Sequence, residues 1–110
     1  MTRPARIGML RRRLQLDAAV ETPDGAGGFA RGWQFVTNVW ARIEPVGAAD
    51  TFEALQGLVR ITHRIKLRWR ADIAGGMRLR DGDRTFLILS ARDASEERRH
   101  ILCQCAEDRP

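Results

Sequence analysis

Tyrosine is absent from the sequence, lysine occurs once, and cysteine, serine and histidine occur twice each. Each shortage closes off a class of protein. Two cysteines make no disulfide framework, and a reducing compartment fits them. No apolar run approaches the ~20 residues that a membrane-spanning helix requires, and no membrane partner is expected. The first thirteen residues hold no apolar stretch of the secretory kind, so no secretory signal is expected. Ser90 and Ser95 lack a nucleophile-elbow context. The missing tyrosines remove the ring on which single-strand nucleic-acid readers often stack bases.

The scarce reactive residues do not form a catalytic constellation. Cys103 and Cys105 stand two apart on one predicted strand. Their Cβ atoms are then about 6–7 Å apart, beyond the ~3.5–4.5 Å of a disulfide. With only His63 and His100 as further ligands, burial as small apolar residues is the plainer reading. His63 lies within an apolar strand face and reads as a core histidine. Asp81 and Asp83 flank Gly82, and turn chemistry explains their spacing better than a cation site. Neither an enzyme nor a cofactor is expected.

What is present is positive charge, unevenly placed. The net charge of +5 resides in residues 1–13, which carry Arg3, Arg6, Arg11, Arg12 and Arg13 and no acid. The remainder of the 110 residues balances. The excess is therefore an N-terminal feature, with residues 1–9 as a basic arm suited to an acidic partner or a phosphate backbone. Eighteen of the nineteen basic residues are arginine, which suits planar pairing at interfaces; a GC-rich genome gives the same bias.

Period-two alternation dominates the chain and predicts one all-β domain over 1–110. A first strand starts near Leu10 and runs through Leu14, Leu16, Ala18 and Val20. The glycine-rich segment from Thr22 to Gly32 reads as a long hairpin loop. A second strand spans Trp33 to Pro45, with Trp33, Phe35, Val39, Ala41 and Ile43 on one face and Trp40 on the other. Asp50 is a candidate cap for a two-turn helix between Gly47 and Gly57. The third strand carries the clearest pattern. Val59, Ile61, His63, Ile65, Leu67 and Trp69 alternate with Arg60, Thr62, Arg64, Lys66, Arg68 and Arg70, a length of roughly 40 Å at ~3.3 Å per residue. A hairpin follows through a type I′ turn at Asp81-Gly82, and Arg98–Glu107 closes the sheet. About six antiparallel strands with one short helical excursion favour a small barrel. Trp40, Ile43, Ile61, Ile65, Leu67, Phe86 and Ile88 are the expected core. The stripe of Arg60, Arg64, Lys66, Arg68 and Arg70 reads as a solvated face, a subunit or partner contact, or a phosphate-binding surface.

Trp40-Ala41-Arg42-Ile43-Glu44-Pro45 resembles the signature of the phage head–tail joining proteins, the head-completion or stopper family. The likeness covers nearly the whole chain in order. Ile7-Gly8 with Leu10 to Leu14 resembles the family's opening, Asp24 to Trp33 its glycine-containing hairpin, and Phe52-Glu53-Ala54 the element after the signature. Thr62-His63-Arg64-Ile65 with Arg68 resembles its long strand, Met77-Arg78 the next, and Arg84 to Ser90 the one after. Trp69 stands where many relatives have tyrosine.

The resemblance implies a homo-oligomeric ring, hexameric or dodecameric, between the portal–adaptor complex and a tail terminator or tail tube protein. It implies a virion or phage-like particle assembled in the host cytoplasm, and the arginine and alanine usage fits a gene transfer agent. The segment Val46 to Leu58 is implied to reach into the channel that double-stranded DNA traverses, with Gly47, Asp50, Phe52, Glu53, Leu55 and Gln56 as its site residues. The arm and the arginine stripe are the candidate ring or partner interface. An OB-like nucleic-acid-binding module is the alternative.

Overall fold

The structure, a computed structural model, describes residues 11–47, 51–54 and 57–108. It contains eight strands: β1 (Arg12–Pro23), β2 (Phe29–Pro45), β3 (Thr51–Ala54), β4 (Gly57–Arg60), β5 (His63–Arg68), β6 (Arg78–Asp81), β7 (Arg84–Asp93) and β8 (His100–Asp108). Six of them close into an antiparallel barrel in the order β1-β2-β5-β8-β7-β6, and β3 pairs with β4 as a separate two-stranded ladder. Closure abolishes free edges around the wall.

The inward residues of every barrel strand meet in one core. Leu14 and Leu16 of β1, Val39 and Ala41 of β2, Ile65 and Leu67 of β5, and Leu79 of β6 pack with Phe86, Ile88, Ile101, Cys103 and Cys105. The alternation of β5 is as the sequence predicts: His63, Ile65 and Leu67 are buried, while Arg64, Lys66 and Arg68 face outward. The β1–β6 seam is the narrowest joint, with three residue pairs from Gln15–Arg80 to Asp17–Arg78.

Beyond that seam β1 and β2 continue as a two-stranded ribbon. β5 pairs with β2 only over Ala41–Pro45, so the stretch from Ala18 to Gln34 is bonded to itself alone. Asp24 turns the ribbon's tip, its Oδ1 accepting from the N–H of Ala26 at 2.8 Å and of Gly28 at 3.1 Å. The molecule extends 59 × 31 × 29 Å.

Four local expectations are corrected. The expected helix between Gly47 and Gly57 is replaced, over its described residues, by the β3–β4 ladder; Asp50 lies outside the described residues. A two-turn helix is marginal by itself. The predicted third strand is two strands, broken at Ile61-Thr62, because Val59 and Arg60 turn back to pair with Phe52 and Thr51. The hairpin between β6 and β7 leaves Gly82 and Asp83 as its two turn residues, and of these only Gly82 has a positive φ, 60°. That is the sign pattern of a type II′ turn.

The fourth correction concerns Trp40, expected in the core and found 54% exposed. Leu16 pairs with Thr37 but Asp17 with Phe35, so Val36 is an extra residue in β2. This bulge reverses the facing of odd and even positions. Val39 and Ala41 point inward with Leu14 and Leu16, whereas Trp33 and Phe35 share the outward face with Trp40. Ile43 is half-buried, and the other expected core residues are buried.

Candidate functional site

Two regions gather the candidate residues: a basic outer wall on β2–β5–β8, and the segment inserted between β2 and β5. On the wall, Arg64, Lys66 and Arg68 project from β5, opposite Glu44 and Arg42 of β2 on one side. On the other side stand Gln104, Leu102 and His100 of β8, and Arg92 lies across from Leu102 on β7. Glu44 is the single acid on these rows and lies 3.5 Å from Arg42. Burial lowers the pKa of His100 first, and the charges of Lys66, Arg68 and Arg99 lower it further. A surface of this kind attracts anions by long-range steering.

The five-residue stripe is thus divided. Arg60 sits at the end of β4, opposite Thr51, and is exposed. Arg70 turns away to a two-pronged pair with Asp72 at 3.0 and 2.8 Å, and its hydrogen bond to Asp72 raises its pKa. Arg11, Arg12 and Arg13 are exposed at the start of β1; Arg12 meets Asp81, and Arg13 stands opposite Trp40. Arg3 and Arg6 lie outside the described residues.

The inserted segment is tied at its neck. The N–H of Val46 donates to the carbonyl of Thr62 at 3.0 Å, directly after the Pro45–His63 pair. Thr62 is in turn stitched to β8: its N–H donates to the Cys105 carbonyl at 2.9 Å, and its Oγ1 accepts from the N–H of Glu107 at 2.7 Å. His63 Nδ1 lies 2.9 Å from the same Oγ1, and its ring meets Phe86 edge to face at 5.0 Å. Arg84 clamps Glu107 with bonds of 2.9 and 3.2 Å. Above this anchor Gly47 is exposed, while Phe52 and Glu53 lie on β3 opposite Val59 and Leu58. Asp50, Leu55 and Gln56 fall outside the described residues.

The sequence reading missed a buried ion cluster at the barrel seam. Asp17 is 1% exposed and accepts from Arg78 Nε at 2.7 Å and from Arg80 at 2.5 and 3.1 Å. Burial pushes its pKa up, and the hydrogen bonds from Arg80 and Arg78 outweigh burial and leave it below the ordinary value of 3.8. The Arg78 guanidinium lies 4.4 Å from the centre of the Trp33 ring, which joins the seam to the ribbon. The available signal was an acid in a core strand and two arginines two apart in another. Cys103 and Cys105 are free thiols buried in the core, and burial pushes Cys103 up to about 12.

A closed barrel with an anchored insertion, a bare ribbon and a basic wall defines a protein built to be assembled with others. Residues 5–108 match the phage head completion protein family, and the chain belongs to it. It is therefore a virion structural protein of the head–tail region, and the family is not a class of enzymes. Among solved structures, the chain is similar to one in the virion of a native gene transfer agent particle. The two are 26% identical with a TM-score of 0.67, over 94% of this chain and 98% of that one. Protein SF1141 from Shigella flexneri 2a shares the fold, with 24% identity and a TM-score of 0.67 over 93% of this chain and 97% of that one. Among curated proteins no match is found.

Proposed function

We propose that this protein is the stopper of a head–tail connector. In this reading copies form a ring, hexameric or dodecameric, between the portal–adaptor complex and the tail. The ring closes the DNA channel after packaging and offers a docking face to a tail terminator or tail tube protein. The observation that carries the reading is the inserted β3–β4 ladder, bonded at its neck by Val46 and Thr62 and separate from the barrel sheet. A gate needs a base that does not move and a tip that no wall strand restrains. Asp50 and Glu53, repeated around a ring, would repel the phosphate backbone and keep a passing duplex from sticking. Similarity to a chain of a gene transfer agent virion supports placement in a particle of that kind. The wall of Arg64, Lys66 and Arg68 and the arm with Arg3 and Arg6 are the contact surfaces for neighbouring subunits or rings.

Replacing Ala48–Gln56 by a few glycines is expected to leave ring assembly intact and to let packaged DNA escape from tailless heads. Counting filled against empty tailless heads reads the outcome. A variant that fails to assemble would instead make the insertion a packing element. Deleting Met1–Arg6 should leave the barrel folded and weaken incorporation into particles; unchanged incorporation would show the arm dispensable. The basic wall alone favours the OB-like alternative. Tight duplex binding by the isolated chain at physiological salt, without particle incorporation, would move the assignment there.

A further inference from the structure

Among the described residues, the ribbon is mostly exposed. Among the described residues no strand lies along β2 from Phe29 to Trp40 on the side away from β1, and β1 is open from Ala18 to Pro23. A two-stranded ribbon is marginal in water, and bare edges are templates for another strand. Natural edges are protected by charge, yet the sequence holds no charged residue between Arg31 and Arg42. Arg31 apart, the outward face of this edge is aromatic: Phe29 is 65%, Trp33 40%, Phe35 51% and Trp40 54% exposed. With about 150–250 Å² per aromatic side chain, roughly 300–500 Å² of aromatic surface faces water. That approaches half or more of the ≈ 800 Å² one partner brings to a standard interface.

We propose that the ribbon, beside the wall and the arm, is a self-association surface, the free β2 edge of one copy pairing with the free β1 edge of a second copy. The proposal rests on the ring reading above and names its seam. Copies related by rotation present β1 antiparallel to a neighbour's β2, the orientation already used within each hairpin. Toward the tip of the hairpin, small or compact residues stand opposite the aromatics, Ala19 opposite Trp33 and Pro23 opposite Phe29. A second β1 on the far side of β2 repeats that arrangement of large against small. Each copy has one edge of each kind, so head-to-tail addition leaves no bare edge once the ring closes. A two-fold pairing of β2 with β2 would leave both β1 edges open.

The test uses two full-length chains, Arg31→Cys on β2 and Glu21→Cys on β1, exposed positions that stand opposite each other in the hairpin register. Mild oxidation forms a disulfide only between directly opposed thiols on adjoining strands, whereas the same position in successive copies lies two strand spacings away, about 9.5 Å and out of reach. Cys103 and Cys105 are buried and stay silent. The mixture is expected to give a cross-linked heterodimer, and either variant alone to give none. Adding Trp33→Ser and Phe35→Ser to both chains should abolish the cross-link while each chain still unfolds cooperatively, with a midpoint lowered by the lost Arg78–Trp33 contact. A homodimer of Arg31→Cys, or no inter-chain product at any protein concentration, overturns the proposal. Particle incorporation of the same chains reads the stopper role separately. Normal incorporation without the cross-link sinks the edge pairing alone; a cross-link without incorporation sinks the stopper role alone.

Discussion

Asp17→Asn removes the charge from a carboxylate that is 1% exposed and holds two guanidiniums. Breaking a buried ion pair by removing one partner costs about 3–5 kcal/mol. The Arg78 and Arg80 side chains are 23% and 31% exposed, so water reaches both heads and offsets part of the loss. The low end, about 3 kcal/mol, is therefore expected. At ~4 °C per kcal/mol for a domain of this size, the unfolding midpoint should fall by about 12 °C. The acid limb supplies an independent sign. Because the folded-state pKa lies below 3.8, the stabilisation is present in full above that value and is lost as pH falls through the lowered one. Urea unfolding of both proteins from neutral pH downward should show a constant gap that narrows below about pH 4. A loss under about 0.5 kcal/mol, the range of ordinary surface changes, or a gap that widens in acid, would refute the reasoning.

Ile65→Ala empties a fully buried position between Ile43 and Cys103 and should cost about 2–5 kcal/mol in the same assay. A loss within the surface range would place the inward face of β5 in error. Gly75→Ala should destabilise by about 1–3 kcal/mol, since its Cβ would lie 2.7 Å from the Leu89 carbonyl oxygen and force backbone to move. The usual gain of about 0.4–1 kcal/mol for glycine to alanine would contradict that close approach.

Much of the barrel was legible because alternation reports burial directly. β5, and β8 as far as Cys105, bury every second residue and leave those between half-buried or exposed, and the turns around Gly82 and Ala94–Arg99 fall where polar punctuation falls. The misreadings share a physical cause. Alternation counts positions, and Val36 adds one, so Trp33 and Phe35 change sides without any mark in composition. Val59 and Ile61 belong to an extended pattern, but the pattern does not say that Val59 pairs backward with Phe52 while β5 turns to β2 and β8. The arginine stripe looked continuous for the same reason. Asp17 finds its partners 61 and 63 residues away, a distance no local period can span.

The bond between Val46 and Thr62 separates two kinds of inheritance. Below it, the barrel residues are constrained by neighbours on both sides of a closed wall. Above it, the chain leaves and returns through a fixed doorway. Lengthening such an excursion adds only about 0.6 kcal/mol of closure entropy for each doubling. Lineages can therefore resize or rewrite the segment between Gly47 and Ile61 while the barrel stays as it is. One scaffold can then carry insertions of different length and sequence, the wall preserving the fold while the insertion drifts.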